Sequence, residues 1–152
     1  MKPIFKPQTE WLPPESFPDL SGYSEIAIDL ETKDPDLKTI GSGSVVGRSK
    51  IVGIAVAVEG WSGYYPIAHE GSGNMDPRMV LKWFQDVLNT DATKIFHNAM
   101  YDVCFIRAAG LKINGTIVDT MIAGSLVDEN RFRYDLGSMG RDYIGIGKNE
   151  AV

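Results

Sequence analysis

The spacing of the strand-forming runs restricts what this chain can fold into more than any other feature. EIAIDLE (25–31), KIVGIAVAVEG (50–60) and GYYPIAH (63–69) are β-branched, apolar runs, and the intervening EGWSG (59–63) suits a hairpin-type turn. After residue 75 the pattern changes. DPRMVLKWFQDVLN (76–89) predicts a helix, with Asp76 as N-cap, Pro77 at the first helical position, and Val80, Leu81, Phe84, Val87 and Leu88 along one face. TKIFHN (93–98) reads as a short buried strand, AMYDVCFIRAAG (99–110) as a helix ending at Gly110, and TIVD (116–119) as another short strand. DTMIAGSLVDEN (119–130) and YDLGSMGRDYIG (134–145) read as two more helices, both weakened by glycine. Three strands in a meander, then alternating strands and helices, imply an α/β fold: a mixed β-sheet flanked by α-helices.

The first twenty residues carry Pro3, Pro7, Pro13, Pro14 and Pro18, which forbid regular helix. They predict an extended arm (1–20), with Trp11 as the residue to dock it, ahead of a domain at 21–152. The glycine-rich GSGSVVG (41–47) misses the G-x-G-x-x-G spacing by one residue, lacks the Lys-Ser/Thr of a phosphate loop and precedes a strand. It reads as a flexible insertion. A net charge of −5 argues against a general nucleic-acid coat protein but not against an acidic site that grips nucleic acid through metal ions. The single cysteine, Cys104, rules out an internal disulfide, and no apolar run approaches membrane-spanning length. The N-terminus lacks a signal-peptide core, so the expected location is the cytoplasm, of a host cell if the source is viral, with no membrane partner.

Two carboxylates end the first strand. Asp29 and Glu31 are two residues apart, so their side chains leave the same face. Like charges held that close repel unless a cation lies between them, and Mg²⁺ takes one or two carboxylates plus substrate phosphate. An isolated D-x-E with both acids solvated is the plainer alternative. In IFHNAMYDVCFI, Asn98 and Asp102 are four apart at the start of a helix and share a face, and Asp102 borders Val103, Phe105 and Ile106. Helix capping by Asn98 explains part of that pattern. Three acids, Asp29, Glu31 and Asp102, are thereby expected to converge at one end of the sheet.

The ordered set AIDLET (27–32), HNAMYD (97–102) and VDTMIAGSLVDEN…YDLGSMGRDYIG resembles the 3′–5′ exonuclease domain of family A DNA polymerases. It is most similar to the bacteriophage enzymes, whose loop after the first acids also reads like KDPDLKTIGSGSVVG. This is the DEDD exonuclease superfamily, with a ribonuclease H-like fold, and the resemblance covers residues 22–147. It implies a proofreading nuclease that removes 3′-terminal nucleotides from DNA with two divalent ions, Mg²⁺ or Mn²⁺, about 3.5–4 Å apart. Carried onto this sequence, Asp29, Glu31 and Asp102 are the catalytic metal ligands. Thr32 lies near the terminal nucleotide, and Asn98 and Tyr101 border the bound strand. The implied partners are a single-stranded DNA 3′ end and the rest of a DNA polymerase, in cis or as a separate chain.

The resemblance also calls for a fourth acid, in a Tyr-x-x-x-Asp or His-x-x-x-x-Asp setting on a later helix. Tyr134 is followed four places on by Ser138, and Tyr143 by Gly147; His97 leads to Asp102, which already has a role. Three expectations follow: a piece of a longer polymerase, one half of a split enzyme, or a module of the same fold that binds a strand without cutting it. An RNA-trimming exonuclease is a further alternative. Among the other candidates, Asp119 reads as a helix cap, Asp128 and Glu129 as solvated, His69 and His97 as strand-end residues, and Cys104 as packing. Trp61, Tyr64 and Tyr65 read as sheet packing, with base stacking as the rival role.

Overall fold

The computed structural model describes residues 11–71 and 73–147. Its five-stranded sheet has the order β3-β2-β1-β4-β5, formed by β1 (Glu25–Lys33), β2 (Lys50–Val58), β3 (Trp61–Pro66), β4 (Thr93–Phe96) and β5 (Ile117–Asp119). The first three strands are an antiparallel meander, and β4 and β5 run parallel to β1. The helices are α1 (Pro77–Asn89), α2 (Ala99–Ala108), α3 (Thr120–Val127) and α4 (Leu136–Ile144). This is the expected mixed sheet with flanking helices.

The period-two pattern of β1 decides its two faces. Ile26, Ile28 and Leu30 are buried, while Ala27, Asp29 and Glu31 face outward. The inner row continues across the sheet through Leu30↔Ile54↔Tyr65 and Ile28↔Val56. Against it pack Val80, Trp83, Phe84, Val87 and Leu88 of α1 and Phe105 and Ile106 of α2, in one apolar cluster. Asp76 caps α1 by accepting from the Arg78 amide at 2.9 Å, and Pro77 opens the helix. Trp83 takes the buried place expected of Leu81, which is half-buried.

Four features differ from, or add to, what the sequence suggests. The hairpin turn is only Glu59-Gly60, because Val58 pairs with Trp61, so β3 begins two residues earlier than the aromatic run suggests. Lys94 points inward and is completely buried; its ammonium donates to the carbonyls of Thr90 and Ala92 and to the Thr90 hydroxyl, where α1 ends. A cation at a helix C-terminus offsets the exposed carbonyl ends of the peptide dipoles, which makes its burial tolerable. The 41–47 stretch is a set of turns with Gly43 and Ser44 buried. Tyr64 does not pack in the core with Tyr65 but stands on the opposite face of the sheet.

Residues 1–10 of the expected arm lie outside the described residues. Of the rest, Phe17 stacks on Tyr65 at 5.5 Å, the Trp83 indole donates to the Pro18 carbonyl at 2.9 Å, and Leu20 is buried. The Trp11 ring lies 5.6 Å from that of Tyr64. Among the described residues, no helix is long and apolar enough to cross a membrane.

Candidate active site

β1 runs through the middle of the sheet, and its parallel neighbour β4 feeds directly into α2. Parallel pairing puts the C-terminal ends of both strands at the same edge, where open α/β sheets bind ligands. Asp29 and Glu31 leave the outward face of β1 near that edge, and Asp102 comes down onto it from the first turn of α2. Asp102 is only 4% exposed. Its Oδ1 accepts a hydrogen bond from the Leu30 amide at 3.1 Å, which locks α2 onto β1 at the peptide between Asp29 and Glu31.

That position is electrostatically costly. Burial raises the Asp102 pKa most, the charge of Asp29 raises it further, and the Leu30 amide only partly offsets them; the group is pushed up to about 7. Among the described residues, no cationic side chain offsets this. A carboxylate pair of this kind is the donor set that a hard divalent ion accepts. Among the described residues, no three side chains of His, Cys, Asp and Glu stand together closely enough to cage a metal ion as they lie. Asp29 and Asp102 are thus electrostatically coupled; Glu31 shares the strand face of Asp29, and a bulge follows it at Glu31/Thr32.

Thr32 and Tyr101 lie together: their hydroxyls are 2.8 Å apart, and the Tyr101 hydroxyl also donates to Asp34 Oδ2 at 3.3 Å. Asn98 occupies the N-cap position of α2 in a left-handed conformation (φ 66°), and its side chain makes no capping bond. The capping is done from elsewhere. Asp119 accepts from the amides of Asn98 at 3.0 Å, Ala99 at 2.8 Å and Met121 at 2.9 Å, so one carboxylate closes the N-termini of both α2 and α3. Burial works against its charge, but the surrounding amides prevail and hold its carboxyl below the usual range. The sequence reading found only half of this role, since the other half spans two elements.

Tyr64, His69 and Asp34 have roles that the sequence reading did not assign. Tyr64 lies in a row with Ala55 and Asp29 across three strands, and its phenol leans over Gly53, the partner of Glu31. A Cβ at position 53 would come within 1.9 Å of the Tyr64 hydroxyl, so the phenol keeps this place only while residue 53 is glycine. That hydroxyl is hydrogen-bonded to His69 Nε2. Burial first, and then the charges of Glu31 and Asp29, push the Tyr64 pKa up to about 12, so the phenol stays neutral beside the acids. The third is Asp34, taken up below. His97 donates from Nδ1 to the Thr120 hydroxyl at 2.9 Å, because that hydroxyl donates onward to the Phe96 carbonyl. Its buried Nε2 has no partner. Asp29, Tyr64, His97 and Thr120 line a depression of about 520 Å³ on the outward face, floored by Ala27, Ala55 and Ala57.

The comparisons with known proteins agree with this architecture. A family model for 3′–5′ exonuclease matches residues 6–151. The DNA-directed DNA polymerase of Pseudomonas phage M6 is 34% identical over 155 residues, covering 95% of this chain and 23% of the polymerase. DNA polymerase I of Borreliella burgdorferi is 27% identical over 106 residues, covering 69% of this chain and 11% of that protein. The chain therefore spans less than a quarter of the length of these curated relatives. Among solved structures, Brucella melitensis NrnC with bound Mg²⁺ superposes with a TM-score of 0.63 at 20% identity, over 88% of this chain and 60% of that one. Escherichia coli RNase D, an exoribonuclease involved in structured RNA processing, gives 0.60 at 15% identity, over 86% and 30%. At such identities these likenesses establish the ribonuclease H-like fold. The family match and the phage relative establish more: the chain belongs to the 3′–5′ exonuclease family carried by family A DNA polymerases.

Proposed function

We propose that this chain is a metal-dependent 3′–5′ exonuclease module that removes nucleotides one at a time from the 3′ end of single-stranded DNA, as the proofreading part of a larger DNA polymerase. The observation that carries this reading is Asp102: a buried carboxylate, fixed by the Leu30 amide and opposed by Asp29, at the C-terminal edge of two parallel strands. Family membership and the phage polymerase relative support the substrate. The NrnC structure with Mg²⁺ supports the metal.

In this reading Asp29, Glu31 and Asp102 hold the divalent ions, Mg²⁺ or Mn²⁺, with Glu31 turning towards the other two. The bound ions supply activation of a water and charge stabilisation of the leaving oxygen. The water oxygen bonds to the phosphorus of the last phosphodiester and gives up a proton to solvent, the bond from phosphorus to the 3′ oxygen breaks and that oxygen takes up a proton, and a nucleoside 5′-monophosphate leaves a strand with a free 3′ hydroxyl. The paired hydroxyls of Thr32 and Tyr101 border the terminal nucleotide, and the uncommitted side chain of Asn98 borders the strand. No described residue answers to the fourth acid; in this reading the rest of the polymerase would supply it.

The test is incubation of 5′-labelled single-stranded DNA and RNA of the same sequence with the protein, in Mg²⁺ and in Mn²⁺, beside an Asp29→Ala preparation. Stepwise shortening of DNA that needs metal and vanishes in the variant is the expected result. Strand binding without shortening points to a non-cutting module, and preferential shortening of RNA replaces the substrate.

A further inference from the structure

We infer that Asp34 is a positioning residue of this exonuclease site: it pins the 34–47 loop to Tyr101 and thereby sets the Tyr101 and Thr32 hydroxyls against the 3′-terminal nucleotide. The inference rests on the function proposed above and adds a residue and a loop to it.

Asp34 follows Glu31 by three residues and comes directly after Lys33, where β1 ends two paired residues past its bulge. Its side chain turns back towards the protein and is half-buried. Both carboxylate oxygens share the Gly43 amide, Oδ1 at 3.2 Å and Oδ2 at 3.0 Å, and Oδ2 also accepts from the Tyr101 hydroxyl at 3.3 Å. With its proton directed to Asp34, the Tyr101 oxygen is left to accept from the Thr32 hydroxyl at 2.8 Å. One carboxylate thus joins three pieces of chain that share no secondary structure: the end of β1, the loop, and the first turn of α2 one residue before Asp102.

The loop is built around this pin. A Cβ on residue 43 would lie 2.7 Å from Asp34 Oδ1 and 2.8 Å from the Ser49 hydroxyl, so the close approach of the backbone requires glycine. Gly43 and Ser44 are buried, whereas Ile40, Val45 and Val46 are exposed. The usual order is inverted, with polar backbone gathered inside at the carboxylate and apolar side chains outside. A loop that served only to connect β1 to β2 would have no need of a charged anchor reaching across to another element. Hydrogen bonds to an ionised acceptor are the stronger kind, which suits an anchor that must hold a hydroxyl against a moving substrate.

Steady-state degradation of a single-stranded DNA oligonucleotide tests this, using the full chain, its polymerase context where that is needed for turnover, and the variants Asp34→Ala, Asp34→Asn, Tyr101→Phe and Asp34→Ala/Tyr101→Phe. The expected result is about a tenfold rise in KM for Asp34→Ala with kcat changed less than about threefold, because Asp34 touches neither the metal ligands nor the reacting phosphorus. Tyr101→Phe should raise KM similarly, and the double variant should be no worse than the poorer single, because the two act as one unit. Asp34→Asn keeps an acceptor for Gly43 but not the charge, and should fall between. Urea unfolding of each variant separates a loosened loop from a misfolded chain. An unchanged KM in a folded Asp34→Ala protein, or full additivity in the double variant, overturns the inference alone. A wild-type protein that neither binds nor shortens the oligonucleotide overturns the proposed function, and this inference with it.

Discussion

Replacing Asp102 by asparagine is expected to stabilise the protein in metal-free buffer, and to do so increasingly as pH rises. The carboxyl titrates near 7 in the folded state, against about 3.9 when unfolded. Below the unfolded value both states are protonated and the group is neutral to stability. Between the two values the unfolded chain releases a proton that the folded chain keeps, so stability falls as pH rises; above the folded value the loss is complete. A difference of about 3 units at about 1.4 kcal/mol each sets a ceiling near 4 kcal/mol. Asparagine has the same shape, keeps an oxygen for the Leu30 amide, and carries no charge to bury. Allowing for local relaxation, the Asp102→Asn variant should be more stable by about 2–3 kcal/mol above neutral pH, with the advantage fading towards pH 4. Urea unfolding followed by circular dichroism, in EDTA and at half-unit pH steps, reads this directly. Two curves that stay parallel from about pH 4 to 8 would refute the account of Asp102 as a buried acid pressed by Asp29. Adding Mg²⁺ should then stabilise wild type at pH 8 and leave the variant nearly unmoved, because a ligand stabilises only a fold that binds it.

Asp119→Ala should destabilise the protein by about 2 kcal/mol, more than one cap is worth, because three amides on two helices lose their acceptor. That difference should shrink at the acid end: a carboxyl held below its usual range contributes stability above its unfolded pKa and loses it as pH falls through the folded one. Chemical denaturation at pH 7 and pH 3 checks both statements. Gly53→Ala should cost about 1–3 kcal/mol, since the new methyl collides with the Tyr64 hydroxyl and drives the ring off its place over the strand. Unaltered Tyr64 ring resonances in that variant would contradict the geometry.

The elements legible in the sequence are those whose signal is local. Ile26, Ile28 and Leu30 alternate with outward residues, and α1 announces itself through Asp76, Pro77 and its apolar face. The misread features depend on partners far along the chain. Trp61, Ser62 and Gly63 look like turn until Val58 is seen to pair with Trp61. Lys94 is the exception: its residue type gives no sign of burial, yet the carbonyls that hold it, of Thr90 and Ala92, are close in sequence. Asp119 looks like the cap of one helix because its second client begins twenty residues earlier. The Asp34 pin crosses a loop with no periodicity at all, and its other end is on α2.

The pair Asp29 and Asp102 falls between these cases, and topology explains how the two come together. Asp29 is placed by the pleat of β1 alone, and Asp102 by the first turn of α2 alone. What relates them is the parallel register Ala27↔Ile95, which sets the end of β4 one strand away from Asp29. β4 stops at Phe96 and α2 begins at Ala99, so two residues suffice to return the chain over the edge of the sheet. A short connection of this kind leaves the first helical turn nowhere to go but onto the end of β1, and the Leu30 amide is the donor waiting there. Any strand-then-helix unit paired in parallel with β1 at this register would bring its first turn to the same spot. The identity of residue 102 decides the character of that spot: an aspartate there sets a second, buried carboxylate against the charge of Asp29, and the metal proposed above would answer to that pair.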